Sequence, residues 1–337
     1  MAMTFSSILR GVNRPENDKL NVLTINNDEK LQWLLSRTDH NFFYVNNPQS
    51  PPWNTTVREK PDNCILLKPG DLSEQVNDVA FDLIVCQNRS RDYNILSKLA
   101  THLSCPLLGI NNFLPFPEMN QFYIQSLADQ VYNSQIFSSK FVCNSWGLDD
   151  KDVAIIEKCV DTEIFSGWVR GDNKVLINCD WYQNRKNING FDLLEKIGKQ
   201  LPINLIGQNP GISSLPKNLD DLVGKYRNAS VFLNTSSWLS CPLELLEALS
   251  TGTPCVSTKN CDTMDYITHG KNGFLSNDPE EIIKYSKELI NNKELAKKIG
   301  GAGRKMMVEK FNEKIFVEKY NKIFYETIDR PCSLLIG

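Results

Sequence analysis

Hydrophobic residues fall along this chain in short continuous runs rich in Val, Ile and Leu. The first series is LNVLTI (20–25), NFFYV (41–45), FDLIVC (81–86), PLLGI (106–110) and KFVCN (140–144). After an interruption a second follows: KVLIN (174–178), INLIG (203–207), SVFLN (230–234) and PCVST (254–258). Helical stretches separate many of these runs. Continuous apolar strands alternating with helices predict parallel sheets covered on both faces, and two series predict two doubly wound α/β domains. The interruption, VDTEIFSGWVRGDNK, holds Gly167, Gly171, several charges and no sustained periodicity, so the chain divides near 166–173. The expected domains are 1–166 and 167–313. From about Pro279 apolar residues recur at three and four spacing in a run of helices, and Gly300, Gly301 and Gly303 predict a bend within it. Open parallel sheets bind ligands beyond the carboxyl ends of their strands, which makes a cleft between two such domains the expected site.

A length of 337 residues agrees with two domains, and 41% apolar with 23% charged residues is the composition of a soluble globular protein. Lys and Arg (37) nearly balance Asp and Glu (40), leaving −3. That excludes an overall basic footprint for nucleic acid or an anionic membrane and leaves only a local groove. The ten cysteines form no C-x-x-C pair, and Cys86, Cys143, Cys179 and Cys255 fall in or beside apolar runs. They read as reduced thiols in a cytoplasmic protein. The amino-terminal stretch lacks an apolar segment with a cleavage site, and no run approaches bilayer length, so any membrane contact is expected to be peripheral.

No G-x-G-x-x-G or G-x-x-x-x-G-K-[ST] is present, and the loop TINNDEKLQ (24–32), which leaves the first strand at Asn26, has no glycine. The three histidines, His40, His102 and His269, show no ligand spacing, so zinc and histidine triads are not expected, and His40 and His269 read as turn residues. The stretch VFLNTSSWLSCPLELLEALSTGTPCVST (231–258) is different. Pro242 suits the first helical position, with Ser240 and Cys241 at the entrance and Leu243 following. The free N–H groups of such a helix start form an anion site fit for a diphosphate. Glu247, about a turn and a half further on, is placed to accept from the two hydroxyls of a ribose, whereas Glu244 suits the positive end of the helix dipole.

At these residues PLELLEALSTGTPCVST with MDYITHGKNGFLSND resembles the donor-binding half of the large retaining GT-B glycosyltransferase family four, whose pattern includes LEA, GTPVV and GxNGFL. IIEKCVDTEIF (155–165) looks like that family's interdomain signature, with Cys159 in place of glycine. KNINGFDLLEKI is similar to its KN helix start, and LIGQNPG, with Gly207 and Asn209, to its central glycine strand end. The resemblance implies two Rossmann-like domains facing across a cleft, with a last helix, about 314–337, completing the first. It implies Glu247 as the ribose ligand, while Leu239 stands where the family keeps a first glutamate. Arg185 and Lys186 fall where the family keeps a basic pair for the diphosphate, at altered spacing, and Asn112 where it often has a cleft histidine. These departures resemble a divergent subgroup of viral and environmental sequences.

The expected activity is transfer of a sugar from a UDP- or GDP-sugar to an acceptor hydroxyl, with retention, without cofactor or metal. The diphosphate leaving group would be stabilised by Arg185, Lys186 and the helix start. The acceptor stays open among a glycan, a protein, a lipid headgroup and a hydroxymethylated DNA base. NRSRD, with Arg89 and Arg91, is a candidate basic mouth on the acceptor side together with Asn26. Two alternatives remain: a non-catalytic nucleotide-sugar-binding module, and a nucleotide-sugar epimerase or hydrolase on the same architecture.

Overall fold

The computed structural model describes residues 18–46, 53, 58–68, 79–148, 153–180, 183 and 186–330. Two compact units emerge. The first comprises 1–55, 59–157 and 316–337, and the second 158–315 together with 56–58. The second unit therefore begins at Lys158 rather than at 167. The cause is packing: Val160 and Phe165 are buried in its core, and Trp168 N–H bonds Thr251 O at 3.0 Å, so the expected connection is strapped to the second unit.

The first unit carries seven parallel strands: β1 (Asn21–Asn26), β2 (Asn41–Asn46), β3 (Cys64–Leu66), β4 (Leu83–Cys86), β5 (Leu107–Asn111), β6 (Ser134–Phe137) and β7 (Ala154–Ile155), in the order β3-β2-β1-β4-β5-β6-β7. The order reverses between β1 and β4, the topological switch point where open sheets bind ligands. Leu23, Ile84 and Leu107 pack with Leu96 and Ala100 of the helix Tyr93–Leu103. From Phe316 onward the helix Glu313–Ile328 belongs to this unit, burying Phe316, Tyr320 and Phe324. His40, expected in a surface turn, is buried there, its ring centroid 5.7 Å from that of Phe324. KFVCN is helix, not strand, because Ser139 caps Lys140–Ser145 by accepting from Val142 N–H at 3.1 Å. The strand is the preceding SQIF.

The second unit carries β8 (Val175–Asn178), β9 (Ile203–Ile206), β10 (Val231–Asn234), β11 (Cys255–Ser257) and β12 (Phe274–Leu275), in the order β12-β11-β10-β8-β9, all parallel, with its switch point between β8 and β10. Alternate residues feed opposite faces. Leu176, Phe232 and Cys255 meet Leu245, Leu246, Ala248 and Leu249 of the helix Leu243–Thr251. Val175, Ile177, Val231, Leu233 and Val256 meet Ile282, Ile283 and Leu289 of the helix Pro279–Asn291 and Ala296 and Ile299 of the helix Lys293–Lys310. Period two on a sheet buried on both sides produces the continuous apolar runs seen in the sequence. Lys293–Lys310 is one helix that runs through all three glycines. Gly300 instead lies so close to the Gly252 carbonyl oxygen that a Cβ would collide with it.

Candidate functional site

In the second unit, chemistry gathers beyond the carboxyl ends of β8, β9 and β10. Leaving β10, Asn234 accepts from Ser236 N–H (3.2 Å) and Ser236 Oγ (2.9 Å), curling the loop toward its neighbour after β8. The two loops are zipped together. Ser237 N–H donates to Ile188 O at 2.8 Å and Thr235 Oγ1 to Asn189 O at 2.8 Å. Gly190, at φ +72°, comes too near Thr235 O to carry a Cβ. This joins the short helix Lys186–Asn189 to the loop that enters Leu243–Thr251. Lys186 is exposed, its ammonium 4.5 Å from the Phe191 ring centroid. Arg185 lies outside the described residues.

The helix begins at Leu243, so Pro242 stands one residue earlier than expected, at the N-cap, where it supplies no side-chain cap to the first-turn N–H groups. Ser240 and Cys241 are fully buried and turned to Asp262: Ser240 Oγ donates to Oδ2 at 2.9 Å and Cys241 N–H to Oδ1 at 2.6 Å. The Cys241 N–H is thus engaged by a carboxylate of the chain itself, and no side chain caps the first-turn N–H groups of Leu243 and Glu244. Lys158 secures the same turn by donating to Cys241 O at 3.0 Å. Burial pushes the Cys241 thiol well above its ordinary range and keeps it neutral.

Glu247 is a second buried carboxylate here, 1% exposed. Tyr226 donates to its Oε2 at 2.7 Å, and Arg58 forms an ion pair with Oε1. Asn178, at the end of β8, donates to the Tyr226 oxygen at 2.9 Å. Burial first, and the Glu247 carboxylate second, push the Tyr226 phenol well above its usual range, so it remains a donor. Glu244 is half-buried in the first turn. Gly207, at φ +110°, ends β9 where a Cβ would strike the Cys179 carbonyl. The Asn209 amide is engaged structurally, donating to Cys179 O (2.7 Å) and Ser213 Oγ (2.9 Å). Gly207 and Asn209 shape the loop that follows β9.

In the first unit, Asn26 and Asn112 are buried at the carboxyl ends of β1 and β5. Gln87, the residue after β4, donates its Nε2 to Thr24 Oγ1 of β1 at 3.2 Å. Asn26 Oδ1 and Gln87 Oε1 are buried without a hydrogen-bond partner among the described residues. Of the expected basic mouth, Arg91 is exposed but Arg89 is buried, its guanidinium 5.0 Å from the Trp146 ring centroid and near Tyr132 and Phe137, donating to Gln135 Oε1 at 3.2 Å. Aromatic faces from β6 and beyond enclose it, and burial holds its pKa below the usual value.

Sequence reasoning missed three groups. Arg58 and Asp262 touch the site from distant positions. Asp92, buried next to Asn27, has its carboxyl pushed up to about 6 by burial.

Residues 213–306 match the family model of glycosyl transferases group 1. The chain is 27% identical to N-acetyl-alpha-D-glucosaminyl L-malate synthase of Bacillus anthracis over 46% of each protein. It is 24% identical to the capsular polysaccharide biosynthesis glycosyltransferase CapM of Staphylococcus aureus over 73% of this chain and 61% of that one. It therefore spans only about half to three-fifths of these relatives' length. Among solved structures, HepE of Anabaena in complex with UDP and glucose superposes with a TM-score of 0.71 at 13% identity, covering 91% of this chain and all of that one. Sucrose-phosphate synthase of Thermosynechococcus elongatus gives 0.67 at 12%, covering 91% and 99%. The two parallel-sheet units are the GT-B architecture of these proteins.

Proposed function

We propose that this chain is a group 1 glycosyltransferase that moves a sugar from a nucleoside diphosphate sugar to an acceptor hydroxyl with retention, as a divergent member of that family. The observation that carries the reading is the place of Glu247: a buried carboxylate behind a helix start without a side-chain cap, beside the β8–β10 switch point and inside the segment matched by the family model. In this reading the first-turn N–H groups and Lys186 hold the diphosphate, and Glu247 accepts from the ribose. The leaving diphosphate gains charge as the glycosidic bond breaks, and fixed dipoles and a cation stabilise that charge without reorganising. A carboxylate has about four acceptor sites, so Glu247 retains capacity beside Tyr226 and Arg58.

The test is incubation with UDP- and GDP-sugars, following nucleotide release with and without acceptors and the anomeric configuration of the product by NMR. We expect turnover to survive a chelator. Loss of both binding and turnover on chelation would overturn the metal-independent reading and direct attention to the D-x-D spacing of Asp150 and Asp152, outside the described residues. Leu239, in place of a family glutamate, favours one rival, a nucleotide-sugar-binding module. Binding of UDP-sugars with no turnover under any acceptor would decide for it.

A further inference from the structure

The surface that follows β5 is unusual in composition. Phe113, Phe116, Phe122 and Tyr123 are 39%, 50%, 87% and 41% exposed, all within residues 113–123. The segment is held in place. Trp146 Nε1 donates to Phe113 O at 2.9 Å, Leu114 is buried, Met119 N–H bonds Phe116 O at 2.9 Å, and Asn120 caps the helix Gln121–Ala128 by accepting from Tyr123 N–H at 2.8 Å. Several large apolar side chains held exposed within one short segment mark an interaction surface.

Its charge selects the partner. Residues 99–139 contain no Lys or Arg, and residues 113–123 contain Glu118 as their single charge. Nucleic acid and anionic lipid are bound through cations, so neither fits. The nearest cations in sequence are Lys98 and Lys140, outside the segment on either side, and Arg89 is buried among aromatic rings. Instead the neutral amides Asn112, Asn120, Gln121 and Gln125 flank the aromatic residues in sequence. Flat aromatic faces with negative π density beside neutral amides complement a ring that presents C–H bonds on its faces and hydroxyls at its edge. An independent observation agrees. At the same end of the same sheet, the partnerless acceptors Asn26 Oδ1 and Gln87 Oε1 call for hydroxyl donors. β5 lies two strands from β1, about 10 Å at the usual strand spacing, wider than one sugar ring.

We propose that Phe116, Phe122 and Tyr123 form a stacking platform for the pyranose rings of a neutral oligosaccharide, which serves as the acceptor. Only the word acceptor rests on the transferase reading. The binding itself does not.

The full-length chain is titrated by calorimetry and saturation-transfer NMR with maltoheptaose, cellopentaose and chitopentaose, and separately with UDP. At least one oligosaccharide binds, with affinity insensitive to salt. Phe122→Ala, and the double variant with Phe116→Ala, lower that affinity about tenfold or more while UDP affinity and melting temperature stay unchanged. The proposal is overturned if no oligosaccharide binds, or if Phe122→Ala binds as tightly as the parent. It is equally overturned if the substitution abolishes co-sedimentation with phosphatidylcholine vesicles or changes the oligomeric state while glycan affinity is kept. A chain that binds the glycan through Phe122 but binds no UDP leaves the platform standing and sinks the transferase reading.

Discussion

Tyr226 Oη lies 2.7 Å from Glu247 Oε2 and donates to it, with Asn178 Nδ2 donating in turn to the phenol oxygen at 2.9 Å. The phenol therefore aims the carboxylate as well as satisfying it. Tyr226→Phe removes one buried partner from Glu247 and one from Asn178, so urea unfolding should show a loss of about 1–3 kcal/mol. UDP should bind more weakly as the carboxylate loses its fixed orientation. Unchanged stability together with unchanged UDP affinity would show that the phenol neither supports nor orients Glu247.

Glu247 itself needs two substitutions to separate ligand from fold. Glu247→Ala removes the carboxylate from both its ion pair with Arg58 and its hydrogen bond from Tyr226, so it should destabilise the fold as well as any binding. Glu247→Gln keeps an oxygen for Tyr226 and is the variant for binding. In calorimetry it should weaken UDP-sugars about ten- to a hundredfold. Glu244→Ala should leave affinity unchanged and cost at most about 1 kcal/mol as a lost first-turn charge. Tight UDP-sugar binding by folded Glu247→Gln would remove the ribose assignment.

Lys186 is exposed and packs on Phe191, so Lys186→Ala should leave the melting temperature within a degree or two while weakening UDP about tenfold more than uridine. Equal weakening of the two ligands would assign the lysine to loop packing instead of phosphate binding.

Asp92 supplies a pH dependence. Burial disfavours its charged form and pushes the carboxyl up to about 6 from an ordinary 3.8. Between those values the folded state holds more protons than the unfolded one, so this group's contribution to stability falls as pH rises through the window. The penalty is complete above it and absent below it. Asp92→Asn should therefore raise the melting temperature at neutral pH, with the gain shrinking toward zero as pH falls below the lower value. A gain independent of pH would mean that packing, not ionisation, sets the difference.

Much of the architecture was legible because buried parallel strands leave an unmistakable trace: β1, β2, β4, β5, β8, β9, β10 and β11 each coincide with a quoted apolar run. β6 was not, because SQIF begins with two polar residues and the more apolar FVC beside it forms the helix that Ser139 caps. The helix start and Glu247 were visible in local order, since capping and helical spacing are short-range properties. Their partners were not. Arg58 reaches Glu247 across a separation of 189 residues and Asp262 reaches Cys241 across 21, and single-chain periodicity carries no information on such pairs. Arg89 was misjudged for a related reason: a charged loop reads as solvated until the rings of Tyr132, Phe137 and Trp146 are folded over it.

The near-collision between Gly300 and the Gly252 carbonyl has a mechanical meaning. Both partners in that approach are backbone, so no rotamer change relieves an added methyl group; only displacement of a whole helix does. Gly252 ends the helix that bears Glu247, and Gly300 sits midway along Lys293–Lys310. The hydrogen atom at position 300 thus works as a spacer of minimum thickness. It fixes how deeply the Glu247 helix seats, so the position of that carboxylate is set from a contact on the far side of its helix's end.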